Sequence, residues 1–357
     1  MLPPLTLNAR RLPVSSTGST TSVVVTSIAS PNRILRALAD GCREHRQQFY
    51  VIGDVASPAH FSLPGCEFFG LQRQYDSGFR TARESPTRHY ARKNIGYLQA
   101  IRDGAGIIVE TDDDNEPLTS FWRTRTLRHR VPVLSQPGWA NVYRYFTDGP
   151  LVWPRGLPLS AVKRELVPYE TCAVQEVDCP IQQGLADENP DVDAIYRLTA
   201  SLPIRFRLER ALALATGTWC PFNSQNTVFF PEAYPLLYLP ALCSFRMTDI
   251  WRSFVAQRIL WENGWMLLFH EPTVIQERNE HDLMKDFRDE VPGYIHNEAI
   301  ADILSGLPLK PGKNEIGNNL VHCYEALVNA DLFPRKELDL LEAWLEDLNG
   351  LGKLSTA

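Results

Sequence analysis

The chain has 357 residues, of which 44% are hydrophobic and 22% charged, and a formal net charge of −6. That length and balance describe a folded protein with a substantial core, built as one large domain or two ordinary ones, and not a disordered chain. A mildly acidic surface lacks the positive field that displaces phosphate counterions, which excludes general nucleic-acid binding while leaving room for a phosphorylated ligand held by a metal or a few basic side chains.

Residues 1–20 read as a flexible arm rich in Pro, Ser, Thr and Gly, without the sustained apolar stretch of a signal peptide. No segment reaches the ~20 apolar residues of a membrane span. The seven cysteines are scattered with no CxxC pair, which argues against a zinc module or a disulfide framework and fits a reducing compartment. The expectation is a soluble, cytoplasmic protein, with peripheral membrane contact left open.

"TSVVVTSIA" from Thr21 is a β-branched run suited to a buried strand. A helix follows, with Ser30 as N-cap, Pro31 in the first turn, and Ile34, Leu35, Leu38 and Cys42 on one face. "QQFYVIGD" is the next strand, so the unit predicts a right-handed crossover and parallel pairing. "HYARKNIGYLQAIRDGA" predicts a helix ending near Gly104, and "GIIVE" the strand after it. Ligands in open α/β sheets sit outside the carboxyl ends of strands, and Ser27, Asp54 and the run Asp112–Asp114 all fall there. The middle of the chain, from Phe121 to Asn226, is irregular. "TDIWRSFVAQRILWENG" predicts an amphipathic helix capped by Thr248 and ended by Gly264; "WMLLFHEP" predicts a strand closed by Pro272; from about Tyr294 the pattern is helical only.

Six stretches carry candidate chemistry, each with a plain structural alternative. In "ETDDDNEP", crowded carboxylates repel unless a cation or protons neutralise them. Asp112 and Asp114, two apart, can point the same way and offer the hard oxygens that suit Mg²⁺ or Mn²⁺ shared with substrate phosphates; the alternative is a solvated acidic turn. Arg92, Lys93 and Asn94 open the helix that leads to this strand and suit a pyrophosphate or nucleoside, or simply a solvated helix face. Asp249 is a general-base candidate, or an acid stabilised at a helix N-terminus. His281, in "QERNEHDL", is a candidate third metal ligand, whereas His270 at the end of an apolar run reads as structural. Arg155, in "VWPRG", can grip phosphate or pack in a turn. Asn223, with Ser224 to Asn226 and the neighbouring Trp219 and Phe222, can hold a sugar or form a polar edge.

The order of these strings resembles the STELLO-type glycosyltransferase-like family and, more distantly, the reversibly glycosylated polypeptides that act as UDP-arabinopyranose mutases. The resemblance covers roughly residues 21–295 and is most specific in "VWPRG", "TDIWRSFVAQRILW" and "RNEHDL". It implies a GT-A-like α/β fold, a Rossmann-like mixed sheet flanked by helices. To this a small helical C-terminal segment, residues 296–357, is added. It also implies an Asp-x-Asp metal motif at Asp112 and Asp114, completed by His281 and holding Mn²⁺ or Mg²⁺ against the diphosphate of a UDP- or GDP-sugar. Asp54 would lie near the base and Lys93 or Asn94 near the nucleotide. Ser27 and Arg92 are further candidates for binding it, and Asp113, pointing the other way from Asp112 and Asp114, would brace the loop or meet the sugar. Asp249 would take the place of the base of inverting enzymes.

The expected function is a metal-dependent glycosyltransferase acting on a glycan or other acceptor in polysaccharide or glycan synthesis, with peripheral contact to a membrane or a synthase possible. The alternatives are a self-glycosylating protein or sugar-nucleotide mutase, with Arg155 as the residue to watch, a non-catalytic regulator of a polysaccharide synthase, and a metal-dependent phosphohydrolase.

Overall fold

A computed structural model describes residues 20–277 and 282–354. The amino-terminal arm, except Thr20, and His281 lie outside the described residues. The strands are β1 (Thr21–Thr26), β2 (Gln48–Ile52), β3 (Glu67–Phe69), β4 (Ile107–Thr111), β5 (Asn115–Pro117), β6 (Arg128–Leu134), β7 (Gly138–Trp139), β8 (Ala173–Asp178), β9 (Ile181–Asp187), β10 (Ala211–Leu214), β11 (Thr218–Trp219), β12 (Asn226–Phe229) and β13 (Leu267–Gln276). The helices are α1 (Arg33–Glu44), α2 (Leu71–Tyr75), α3 (Arg80–Glu84), α4 (Lys93–Arg102), α5 (Ala194–Thr199), α6 (Thr248–Glu262), α7 (Leu283–Ser305), α8 (Ile316–Asn329) and α9 (Lys336–Gly350).

One mixed sheet runs β3-β2-β1-β4-β12-β9-β13-β10-β6-β8, with β5 added alongside β13 and a separate β7–β11 pair. Its first four strands are parallel, as the crossover pattern predicts. Beyond them β12 runs antiparallel to both β4 and β9. This is the α/β class expected, a Rossmann-like mixed sheet flanked by helices.

Strand alternation sorts the core into two faces. Val24, Tyr50, Ile52 and Ile108 face the large cluster under α4 and α6, while Val23, Val25, Phe49, Val51, Ile107 and Val109 face the cluster under α1. The same parity carries on along β4, so Glu110 and then Asp112 turn toward α4 and α6. Helix α4 rides so close to β1 and β2 that a Cβ at Gly96 would sit 2.6 Å from Val24 Cγ1 and 2.7 Å from Ile52 Cγ1; only glycine permits that approach.

Several expectations need correction. The cap of α1 is Asn32, whose side chain accepts from Leu35 N at 2.8 Å, two residues past Ser30; an Asx side chain competes well for that place. Strand β3, three residues within "CEFFG", is too short to show a period in the sequence. Helix α6 is not amphipathic: every residue from Thr248 to Leu260 is buried, Arg252 and Arg258 included, and Met247 rather than Thr248 precedes it. Strand β13 runs through Pro272 to Gln276, with irregular register on either side of the proline, the one way a sheet interior admits it. The boundary expected at 295/296 falls inside α7, and α7, α8 and α9 share the large hydrophobic cluster with the sheet through Ile300, Leu304, Leu320, Tyr324, Leu341 and Trp344.

Candidate functional site

Two adjoining cavities open at the carboxyl ends of β1, β2 and β4. The acidic one, about 270 Å³, is lined by Asp112, Asp113, Asp114, Asp191, Asp249 and Gln276 among others. The other, about 500 Å³, is walled by Ser27, Ile28, Asp54, Val55, His89 and Arg92. Thr26, Tyr90, Asp113 and Phe245 border both, so the two form one cleft with an acidic half and a largely apolar half.

The acidic loop is held from below by buried cations. Glu110 lies under it and receives both terminal nitrogens of Arg252, at 2.7 and 3.0 Å, together with the hydroxyl of Tyr97. Lys93, fully buried, donates to Asp112 Oδ1 and to the Thr111 carbonyl, each at 2.9 Å, and to the Ser224 carbonyl at 3.3 Å. Asp113 braces the loop: its Oδ2 accepts from Ser27 Oγ at 2.5 Å and its carbonyl from Asn32 Nδ2 at 2.8 Å. Asp114 Oδ2 accepts from Gln276 Nε2 at 3.2 Å. Its Oδ1 is buried with no partner, as is Gln276 Oε1 beside it. Burial first, then the charges of Asp112 and Asp113, push the Asp114 carboxyl up to about 7. Asp112 and Asp113 are raised as well, by burial, with Lys93 and Ser27 working against it.

These residues fit a hard divalent cation. Asp112 keeps Oδ2 and Asp114 keeps Oδ1 for a ligand, both border the same cavity, and an orphaned carboxylate oxygen in a crowded acidic site is satisfied by such an ion. Among the described residues no three His, Cys, Asp or Glu side chains are placed to hold a metal together. Two carboxylates would then be the protein's share, with phosphate and water completing the shell.

Arg155 and Asp249 form a clamp. Arg155 donates from Nε and Nη2 to the two oxygens of Asp191, at 2.8 Å each. Nη2 and Nη1 reach the two oxygens of Asp249, at 2.9 and 3.1 Å, and Nη1 also reaches the Arg246 carbonyl. All five N–H groups are engaged in a buried site. Burial alone would raise the Asp249 carboxyl, but Arg155, with help from Arg252 and the Ser224 amide, holds it well below the usual carboxylate range. Arg155 therefore has no donor left for phosphate. As a substrate for self-glycosylation its guanidinium is likewise enclosed. Asp249 borders the cavity as expected, yet its environment makes it a poor proton acceptor.

Other expected residues are structural here. Lys93 has its three donors engaged beneath the loop. Asn94 pairs both ways with the backbone of Leu239, at 2.9 Å each. Asn223 donates to Asp191 at 3.0 Å and accepts from the Gln225 amide, bracing the clamp instead of lining the cleft. Arg92 walls the apolar half but binds Gln74, Ser85 and Ala82. Asp54 borders the apolar half and accepts from the amides of Val55 and His89, at 2.7 and 3.0 Å. The residues missed are Asp191, Tyr90, Phe245 and Gln276. A signal for Asp191 existed: Asp191 and Asp193 stand two apart, as do Arg155 and Trp153, and Trp153 Nε1 donates to Asp193 at 2.7 Å, so the strings "WPR" and "DVD" pair residue by residue.

Comparison with known proteins bears on this arrangement. The model of the STELLO glycosyltransferases matches residues 246–355, from the end of the clamp through α9. Two Arabidopsis thaliana proteins described as probable glycosyltransferases, STELLO1 and STELLO2, are each 28% identical, over 351 residues (92% of this chain, 44% of the relative) and 326 residues (85% and 42%). The chain spans less than half the length of either. A mycobacterial protein of known crystal structure aligns with a TM-score of 0.40 and 13% identity over 79% of this chain and 74% of its own. The family match over the last third of the chain and the 28% identity that runs through most of its length make the chain similar to the STELLO glycosyltransferases.

Proposed function

We propose that this chain is a glycosyltransferase domain that binds a UDP- or GDP-sugar with Mn²⁺ or Mg²⁺ and passes the sugar to a glycan or other acceptor in glycan synthesis. The observation that carries it is the partnerless Asp114 Oδ1 in a loop of three half-buried carboxylates, opening onto a cleft whose other half is apolar. The sequence similarity to the STELLO glycosyltransferases, two of them described as probable glycosyltransferases, supports the same reading.

Asp112 and Asp114 would hold the cation, which supplies positive charge to the leaving nucleoside diphosphate. Lys93, Ser27 and Asn32 fix the loop so that both carboxylates keep their aim. The base and ribose would lie in the apolar half, against Ile28, Val55 and the exposed ring of Phe245, with Asp54 at its edge. Phe245 stands edge-on to Tyr90 at 4.9 Å, a rigid divider where the two halves meet. The Arg155 clamp holds the first turn of α6 against the cleft; Asp249 serves there as a positioning group.

A second reading, a domain that binds donor without transferring sugar and regulates a synthase, draws on Asp249, which the clamp deprives of the basicity expected of it. One experiment separates the possibilities. Thermal stability is followed with UDP, GDP and their sugars, with and without Mn²⁺, and release of nucleoside diphosphate is measured in parallel. Metal-dependent stabilisation with turnover supports transfer; stabilisation without turnover supports the regulator. No nucleotide response, or a metal effect that survives Asp112→Asn with Asp114→Asn, overturns the site.

A further inference from the structure

A third cavity, about 310 Å³, lies on the opposite side of the sheet from the acidic cleft, beneath the segment after β5. The two sites are back to back: Gln225 lines the cleft and Asn226, the next residue, lines this cavity. Its floor is polar where a sheet interior is normally apolar, formed by Gln182, Asn226, His270 and Thr273 on β9, β12 and β13. The floor closes over Gly184, where a Cβ would fall 2.4 Å from Asn226 Nδ2 and 2.7 Å from His270 Cε1. Glycine at that strand position lets the polar groups come together.

The walls are cationic. Arg123, Arg125 and Arg210 all border the cavity. Arg123 pairs with Glu271 at 2.5 Å, and Glu271 also accepts from the Glu209 amide, so that carboxylate is engaged. Arg125 donates to the carbonyls of Phe121 at 2.6 Å and Arg123 at 3.4 Å and lies over the Phe121 ring at 5.4 Å. Arg210 donates to the Tyr145 carbonyl at 2.6 Å and stacks over Tyr169 at 4.2 Å. Among the described residues neither Arg125 nor Arg210 has a carboxylate partner, and each keeps N–H groups beyond these bonds. Glu209 on the rim is the remaining negative charge. Burial and the neighbouring Arg123 push Arg125 down to about 10, and burial, then Arg123, push His270 down to about 3. Burial is the larger cause of each shift, and the nearby guanidinium groups add to it.

We propose that this cavity binds a small oxyanion, the phosphate, sulfate or carboxylate group of a small molecule, through Arg125 and Arg210. A half-buried guanidinium without a carboxylate is the group that an oxyanion satisfies by paired, charge-assisted hydrogen bonds. The volume lies near the lower end for small-molecule sites and suits a compact ligand, not a polymer. The site is independent of the function proposed for the cleft.

The test is titration calorimetry with inorganic phosphate, sulfate and acetate, each against chloride at matched ionic strength. The expected result is saturable binding of at least one oxyanion, weakened ~tenfold or more by Arg125→Gln, as loss of a charge-assisted hydrogen bond implies, and unchanged by Arg335→Gln at a distant exposed position. Arg210→Gln gives the same reading should Arg125→Gln not fold. The oxyanion that binds identifies the ligand's charged group. Binding no tighter than chloride, or binding that Arg125→Gln and Arg210→Gln leave intact, overturns the proposal.

Discussion

Replacing Arg155 with methionine keeps most of the side chain's bulk and removes its charge. Asp191 and Asp249, each bonded to it through both carboxylate oxygens, would then face one another in a buried site. Removing one partner of a buried pair costs about 3–5 kcal/mol, because the charge left behind has lost both water and counter-charge. With an unfolding entropy of about 2.1 cal/mol/K per residue over 357 residues, the melting temperature falls by about 4–7 °C. The pH dependence is the more specific signature. In the parent protein Asp249 is depressed below its unfolded value, so its contribution is present at neutral pH and is lost only as pH falls through the folded value. In Arg155→Met, burial, no longer opposed by the guanidinium, raises Asp249 above its unfolded value, and protonation then relieves the repulsion. The deficit should be largest near pH 8 and shrink toward pH 5. Urea melts of both proteins at the two pH values give the answer. A deficit under about 1 kcal/mol at the higher pH, or one that does not change with pH, would refute the clamp.

Other expectations follow from the same geometry. Gly96→Ala forces a methyl into Val24 and Ile52 and should cost about 1–3 kcal/mol in a urea melt, without changing nucleotide response if the helix only shifts. Glu337, buried at the start of α9, accepts from the Tyr238 hydroxyl at 2.5 Å and from the Leu242 amide at 2.8 Å. Burial raises it, against these donors, to about 7. The folded state then binds a proton that the unfolded chain gives up at lower pH, so this group's stability is full in acid and falls as pH rises toward 7, by up to about 3 kcal/mol. Glu337→Gln should flatten that slope between about pH 5 and 8 in denaturation at fixed salt.

The first half of the sheet was legible because its signals are local. "TSVVVT", "QQFYVI" and "GIIVE" are apolar runs at strand length, separated by a helix with a clear period, and three carboxylates after a buried strand stand out on any reading. The clamp was not legible, since Arg155 and its partners lie 36 and 94 residues apart, and a helix N-terminus accounts for Asp249 without them. Lys93, Asn94 and Asn223 are hard to place from sequence for a related reason. A charged or amide side chain beside a site looks like a ligand contact in sequence, and only the fold shows that its hydrogen bonds are already taken. Charge also hid the burial of α6, where Arg252 and Arg258 occupy interior positions because Glu110 and the carbonyls of Leu304 and Leu307 receive them. Pro272 reads as a stop in sequence, whereas β13 continues through it by shifting register on either side.

The cations around the acidic half of the cleft are already spoken for. Lys93 and Arg155 have no N–H to give, and Arg246 grips Glu290 through two of its nitrogens. A bare diphosphate entering that half of the cleft would meet three carboxylates and little positive charge. It would be turned away by like-charge repulsion. On the function proposed above, the cleft would select for a neutralised guest: nucleotide and divalent ion would bind as mutual helpers, each supplying the charge that the other's half of the contact lacks. Titrating one in the presence of the other should tighten the binding of each by the same factor.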